Sequence, residues 1–269
     1  MRRTRQRWPG SSPTRSAATK RRPRGRPPDT NGPKPMPEVW KIDVTAELPR
    51  LAMHRARLTP DEVGRAARFY SDADRARFVV GRSTRRMLLA RRLGIDPAAL
   101  VFYEDPYGKP RILEDLGAGE YFNSSHSGRW VLHAFADVEV GVDVEEVRPE
   151  MARLEDFSWV LSAEERAFVL RAAGPLRAAA LATVWVRKEA YVKALGEGLS
   201  RSLPDIGITE GGEDGPALAY DRTPGGRGRR WSFTDIEIDA SHKACVVHAG
   251  QRRKIVVCDY RSAWSRAAA

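Results

Sequence analysis

Asp143 and Glu145 stand one residue apart in the run Gly141-Val142-Asp143-Val144-Glu145. In a strand, side chains two apart share a face, so the two carboxylates project together while Val142 and Val144 turn the other way. Two convergent carboxylates, with no thiolate or imidazole in the run, suit a hard cation such as magnesium, which takes a few protein oxygens and completes its shell with water and phosphate. The same spacing also describes an ordinary half-solvated strand with acids outward and valines inward. A second run, WVRKEAYVKALGEGL from Trp185 to Leu199, puts Trp185, Glu189 and Lys193 at intervals of four, one stripe of a helix. That stripe reads either as a buried tryptophan with a surface Glu–Lys pair, or as a third carboxylate accompanied by two cations, Lys188 and Lys193. The latter is the complement a magnesium and diphosphate site requires.

The rest of the chain must hold these runs in place. Order is expected to begin near Val39, where Trp40, Ile42 and Val44 alternate as one buried strand face. Thr59-Pro60-Asp61-Glu62 supplies a cap, a proline suited to the first turn and two acids, the opening of a helix. A second helix is predicted from Ser71 through Phe78, Val79, Met87 and Leu88 to a left-handed stop at Gly94. From Leu100 to Glu145 short runs alternate with turn signals. They predict strands at 101–103, 121–125, 131–135 and 140–145, with a turn-like stretch at 106–110. Helical periodicity returns at Ser162, which forms a capping-box pattern with Glu165, and again from Pro175 to Leu195, stopped by Gly196 and Gly198. The segments 206–209, 231–238, 244–248 and 255–258 read as strands. Helices followed by meandering strands, twice over, predict an α+β chain in two halves rather than a doubly wound parallel sheet. The expected divisions are a tail at 1–36, an N-terminal half at 37–142, a C-terminal half at 143–260 and a short tail at 261–269.

A chain of 269 residues, 42% of them hydrophobic, can bury a real core. No run of about 18 apolar residues occurs, and no apolar stretch follows the N-terminal charges, so neither a spanning helix nor a secretory signal is expected and the cytoplasm is the predicted location. Cys245 and Cys258 make no metal-ligand spacing and read as structural thiols. The net charge of +11 invites a nucleic-acid partner, yet eleven of the 46 bases and only one of the 35 acids fall in residues 1–36. The remaining 35 bases and 34 acids nearly cancel. The first 36 residues, rich in Pro, Gly, Ser and Thr, are expected to be disordered. They read as a solvated extension, as upstream sequence if synthesis starts at Met36, or as a polybasic arm for an anionic surface.

GVDVE followed about forty residues on by WVRKEAYVKALGEGLS resembles the two signature motifs of the phosphopantetheinyl transferase superfamily. YGKPRI at 107–112 and FNSSHSGRW at 122–130 resemble motifs of its Sfp-type branch. Four motifs in order over residues 107–200 make the resemblance specific, and a looser likeness runs from about residue 39 to 260. It implies a fold of two similar, pseudo-symmetric α+β halves, with coenzyme A in the cleft between them. It also implies transfer of the phosphopantetheine arm to a serine of an acyl or peptidyl carrier protein, with magnesium as cofactor, by a monomer. By the same resemblance Asp143, Glu145 and Glu189 hold magnesium, and Glu189 serves as the base. Lys188 and Lys193 meet the phosphates, with Lys193 also counted among the catalytic groups. Lys109 and Pro110 contact the nucleotide end, Ser125 and His126 its phosphates, and Arg77 the nucleotide. Read alone, His126 is an ordinary structural histidine and Arg77 a solvated helix charge. Two departures from the family pattern stand out. Ser124 replaces a usually apolar residue, and Glu62 with Arg65 stands where relatives carry basic groups for the 3′-phosphate, leaving that contact to Arg65 or Arg77. The competing reading is a nucleic-acid-binding protein acting through its basic arm.

Overall fold

The computed structural model describes residues 36–113, 119–196, 201–210, 215–224 and 228–261. The expectations for residues 1–35 and 262–269, and for Gly198 as a helix stop, lie outside them.

β1 (Glu38–Asp43) opens the fold and is followed by two short helices that the periodicity did not reveal, α1 (Val44–Glu47) and α2 (Leu51–Ala56). α3 (Pro60–Ala66) starts at Thr59, whose hydroxyl and the Glu62 carboxylate cap each other's backbone N–H groups. α4 (Asp72–Leu93) runs from the Ser71 cap to Gly94, which takes φ 65° as the end of a helix favours. The hairpin β2 (Phe102–Glu104) and β3 (Pro110–Ile112) follows, and then β4 (Tyr121–Ser127), β5 (Trp130–Ala136) and β6 (Val140–Glu146). β3 begins at a proline, tolerable because its sheet has only two strands. The second half brings α5 (Ala163–Arg171) behind the Ser162–Glu165 capping box, then α6 (Pro175–Leu195), ended by Gly196. β7 (Ile206–Thr209) pairs with β8 (Ala217–Asp221), a strand not expected from the sequence. β9 (Trp231–Asp235), β10 (His242–Ala249) and β11 (Val256–Asp259) complete the chain.

Two sheets carry the architecture, one ordered β11-β1-β5-β4 and the other β6-β10-β9. Alternation along β1 and β5 splits their side chains: Trp40, Ile42, Val131 and Phe135 pack against Val80, Leu88 and Leu89 of α4. Val39, Leu132, Ala134 and Ala136 turn instead to Val140, Val142, Val144, Ala244 and Val246 of the other sheet. That second sheet in turn buries Phe233, Cys245 and Val247 against Leu181, Ala190 and Tyr191 of α6. The result is four layers, helix on sheet on sheet on helix, and the first sheet is not confined to the expected N-terminal half, since β11 from the end of the chain pairs in parallel with β1. It is an α+β fold.

β4 and β6 are edge strands of their sheets and meet along the seam. Polar side chains of β4 close the gap: Asn123 Oδ1 accepts from Val142 N at 3.0 Å, and Ser127 Oγ from Glu146 N at 3.0 Å. On the far side α6 lies so close to β6 that a Cβ at Gly141 would fall 2.0 Å from Ala190 O and 2.4 Å from Ala194 N. Only glycine fits there, since the obstructing atoms are helix backbone. Gly141→Ala is expected to push α6 outward and cost about 1–3 kcal/mol, the usual range for overpacking, read as a lowered urea midpoint with an unchanged m-value.

Candidate active site

The seam between β4, β6 and α6 gathers acids and a lysine. Asp143 and Glu145 leave β6 on the face opposite the buried valines, toward α6, which contributes Glu189 and Lys193 one turn apart. Asp143, 2% exposed, has one carboxylate oxygen fully engaged. Oδ1 lies 2.5 Å from Lys193 Nζ and accepts the Ser125 hydroxyl at 2.6 Å, while Ser125 Oγ accepts from the same ammonium at 3.0 Å. Oδ2 is buried without a hydrogen-bond partner, and so is Oε1 of Glu189. Glu145 is held from β4 as well, its Oε2 accepting the Ser127 hydroxyl at 2.9 Å.

The charges of these groups act on one another. Burial raises the Glu189 carboxyl above the usual carboxylate range. Lys193 opposes that shift, while the charges of Asp143 and Glu145 add to it. Glu145 is likewise raised by burial and then by Asp143, against Ser127 and Lys193. Three carboxylates around one ammonium leave surplus negative charge in a poorly hydrated place. His126 leaves β4 on the other face from Ser125. Its imidazole is lowered by partial desolvation and then by the positive charges of Arg77 and Lys193, so the helix of each half acts on it. Arg77 itself is paired with Asp74 at 2.6 Å.

Other residues singled out from the sequence have different surroundings. Lys188 is fully buried away from the cluster, with Nζ 2.5 Å from Glu165 and donating to Val160 O at 2.7 Å and Leu203 O at 2.8 Å. Lys109 donates to Val140 O at 3.3 Å, Lys193 O at 2.5 Å and Ala194 O at 3.3 Å, so its ammonium satisfies carbonyls at the end of α6. Burial, with Arg111 adding, pulls it down to about 8. Pro110 lines a separate cleft of about 560 Å³, where α3 and α4 present Arg65, Arg82 and Arg86 beside Phe78 and Phe102. In that cleft Glu62 is paired with Arg86 at 3.3 Å. Ser124, the departure in the FNSSHS run, bonds His133 Nδ1 at 2.8 Å, and His133 Nε2 meets Thr84 at 3.0 Å. Burial lowers His133 to about 3, so it stays neutral. Sequence reasoning overlooked Asn123 and Ser127; the spacing of two that links them to Ser125 was the available signal.

Residues 139–247 match the family model described as the 4'-phosphopantetheinyl transferase superfamily, and residues 46–137 match that of the 4'-phosphopantetheinyl transferase N-terminal region. The 4'-phosphopantetheinyl transferase HetI of a Nostoc species is 34% identical over 180 residues, 63% of this chain and 72% of HetI. The chain belongs to the 4'-phosphopantetheinyl transferase superfamily. Sfp of Bacillus subtilis, another transferase of this superfamily, is 30% identical over 56% of this chain and 66% of its own. The B. subtilis transferase ffp is 30% identical over 68% and 78% respectively. A solved holo-(acyl-carrier-protein) synthase from Bacillus anthracis, in complex with CoA (3',5'-ADP), aligns with 42% of this chain and 97% of its own at 24% identity. Its TM-score of 0.36 is too low to bear on the fold.

The donor set matches what a hard divalent ion prefers: carboxylate oxygens only, two of them buried and unpartnered, with surplus negative charge around them. As the side chains lie, no three His, Cys, Asp or Glu groups among the described residues form a closed metal-binding set. Asp143 instead spends one oxygen on Lys193 and Ser125.

Proposed function

We propose that this chain transfers the 4'-phosphopantetheine group of coenzyme A to a serine of an apo acyl or peptidyl carrier protein, releasing adenosine 3',5'-bisphosphate. The observation that carries the reading is the pair of buried, unpartnered carboxylate oxygens, on Asp143 and Glu189, beside Glu145 and the Lys193 ammonium, in a chain of this superfamily. The proposed ion is magnesium, with Asp143, Glu145 and Glu189 as its protein ligands. When bound, it would neutralise charge on the diphosphate oxygens.

The chain's own residues do the rest. Displacement at phosphorus joins the serine oxygen to the β-phosphorus and breaks the bond to the bridging oxygen, which leaves with its electron pair on the bisphosphate. The serine proton passes to Glu189, the α6 carboxylate that faces Asp143 and Glu145 with an unpartnered oxygen. Lys193 offsets charge growing on the phosphoryl oxygens, and His126 and Arg77 add donors on the side of α4. Ser125 holds Asp143 in its rotamer. Lys109 fixes the end of α6 through its carbonyls, and Pro110 lines the separate cleft of Arg65, Arg82 and Arg86. A monomer acting in the cytoplasm is part of the same proposal. Among the described residues no helix is long and apolar enough to cross a membrane.

Mass spectrometry of an apo carrier protein incubated with this protein, coenzyme A and magnesium tests the proposal. A mass gain of one phosphopantetheine group on the carrier serine is expected, and an unmodified carrier across a panel of acyl and peptidyl substrates would refute it. A chain beginning at Met36 is expected to modify carrier at the full-length rate, because every residue named above lies beyond it. A rate lost on that truncation would return weight to the basic arm.

A further inference from the structure

We propose that Lys193 is the site's resident counter-ion, and that it leaves Asp143 for the coenzyme A diphosphate when a divalent cation binds, so that cation and diphosphate bind cooperatively. This rests on the reading of the site as a magnesium and diphosphate centre.

Asp143 is almost wholly buried, and a carboxylate there needs a compensating charge. Lys193 provides it in a closed triangle with Ser125: ammonium to Oδ1 at 2.5 Å, ammonium to hydroxyl at 3.0 Å, hydroxyl to Oδ1 at 2.6 Å. Oδ2 of Asp143 and Oε1 of Glu189 have no hydrogen-bond partner, and these are the oxygens that would be open to a divalent cation. A cation on Oδ2 shares one carboxylate with the Lys193 ammonium. Two positive centres that close repel strongly in a place with little water. Lys193 is able to yield, since its side chain is 29% exposed and sits on a flexible four-carbon stem, unlike the sealed Lys188. A diphosphate offers the displaced ammonium a new anionic partner. Coenzyme A thereby lowers the cost of admitting the cation, and by linkage the cation tightens coenzyme A by the same factor.

The test is a titration of Mn²⁺, followed by the electron paramagnetic resonance of the free ion, into the full chain and its Lys193→Met variant, each with and without saturating coenzyme A. Without coenzyme A, Lys193→Met is expected to bind Mn²⁺ about fivefold or more tightly than wild type, the lower end of common coupling factors. Coenzyme A is expected to tighten Mn²⁺ by a larger factor in wild type than in the variant. Lys193→Arg, which keeps a cation, is expected to bind Mn²⁺ as weakly as wild type, and Lys193→Gln replaces the methionine variant if the latter does not fold. Equal or weaker Mn²⁺ binding by the neutral variants without coenzyme A overturns the proposal, because Lys193 would then be helping to build the cation site. A wild-type chain that takes up no Mn²⁺ even with coenzyme A is a different result, and sinks the magnesium reading itself along with this one.

Discussion

Asp143→Ala is expected to lower the rate of carrier-protein modification by two or more orders of magnitude while the protein stays folded, and Glu189→Gln to do the same. The size follows from what each removes. Asp143 is a cation ligand in the proposed site, so its loss removes a charge-stabilising group from the loaded enzyme. Glutamine at 189 keeps the shape but cannot take a proton, and loss of a positioned base costs about 10² to 10⁴ in rate. The fold should tolerate both. Asp143 pairs with Cys245 through backbone groups that substitution leaves intact, and Lys193, partly exposed, can regain water. The measurement is initial transfer rate at saturating coenzyme A and carrier, with circular dichroism melts as the control. Near-normal turnover in either folded variant would remove that residue from the chemistry.

Much of the scaffold could be read because local signals and tertiary demands coincide in it. Ser71 and Gly94 bracket α4 as capping chemistry predicts, and the Val142/Val144 against Asp143/Glu145 alternation holds because one face of β6 is buried between two sheets. The elements that escaped notice are short. α1 and α2 have too few residues for a helical period to emerge, and β3 is masked by Pro110 in what looks like a turn. At the site, the stripe of Glu189 and Lys193 was legible from spacing alone. The surroundings of Lys109 were not, because its ammonium serves carbonyls of a helix more than eighty residues away, and no local pattern announces a partner at that distance. Ser124 illustrates the same limit: the sequence marked it as unusual, but its use, bonding a buried neutral His133, depends on the pairing of β4 with β5.

Lys188 shows how helix geometry can correct a motif. Residues 188 and 189 are adjacent on α6, about 100° apart around its axis, so they cannot both face one cluster. With Glu189 turned to β6, Lys188 points into the opposite core, where Glu165 is its counter-ion. Glu165 in turn accepts from Ser162 N at 2.8 Å and Ile208 N at 3.1 Å, so this ion pair ties the start of α5, β7 and the middle of α6 together. Burial pulls the Lys188 ammonium down and Glu165 holds it up. Lys188→Met is therefore expected to cost about 3–5 kcal/mol of stability, the usual penalty for breaking a buried pair from one side, read as a lowered denaturant midpoint. The folded fraction should keep its KM for coenzyme A. Adding Glu165→Gln to Lys188→Met should recover part of the loss, because the second change removes the stranded charge. A phosphate contact at Lys188 demands the reverse: KM for coenzyme A raised about tenfold or more with little change in stability, since a hydrogen bond to a charged group is worth about 1.5–3 kcal/mol. Finding that pattern would mean α6 turns in the substrate complex, and would return Lys188 to the site.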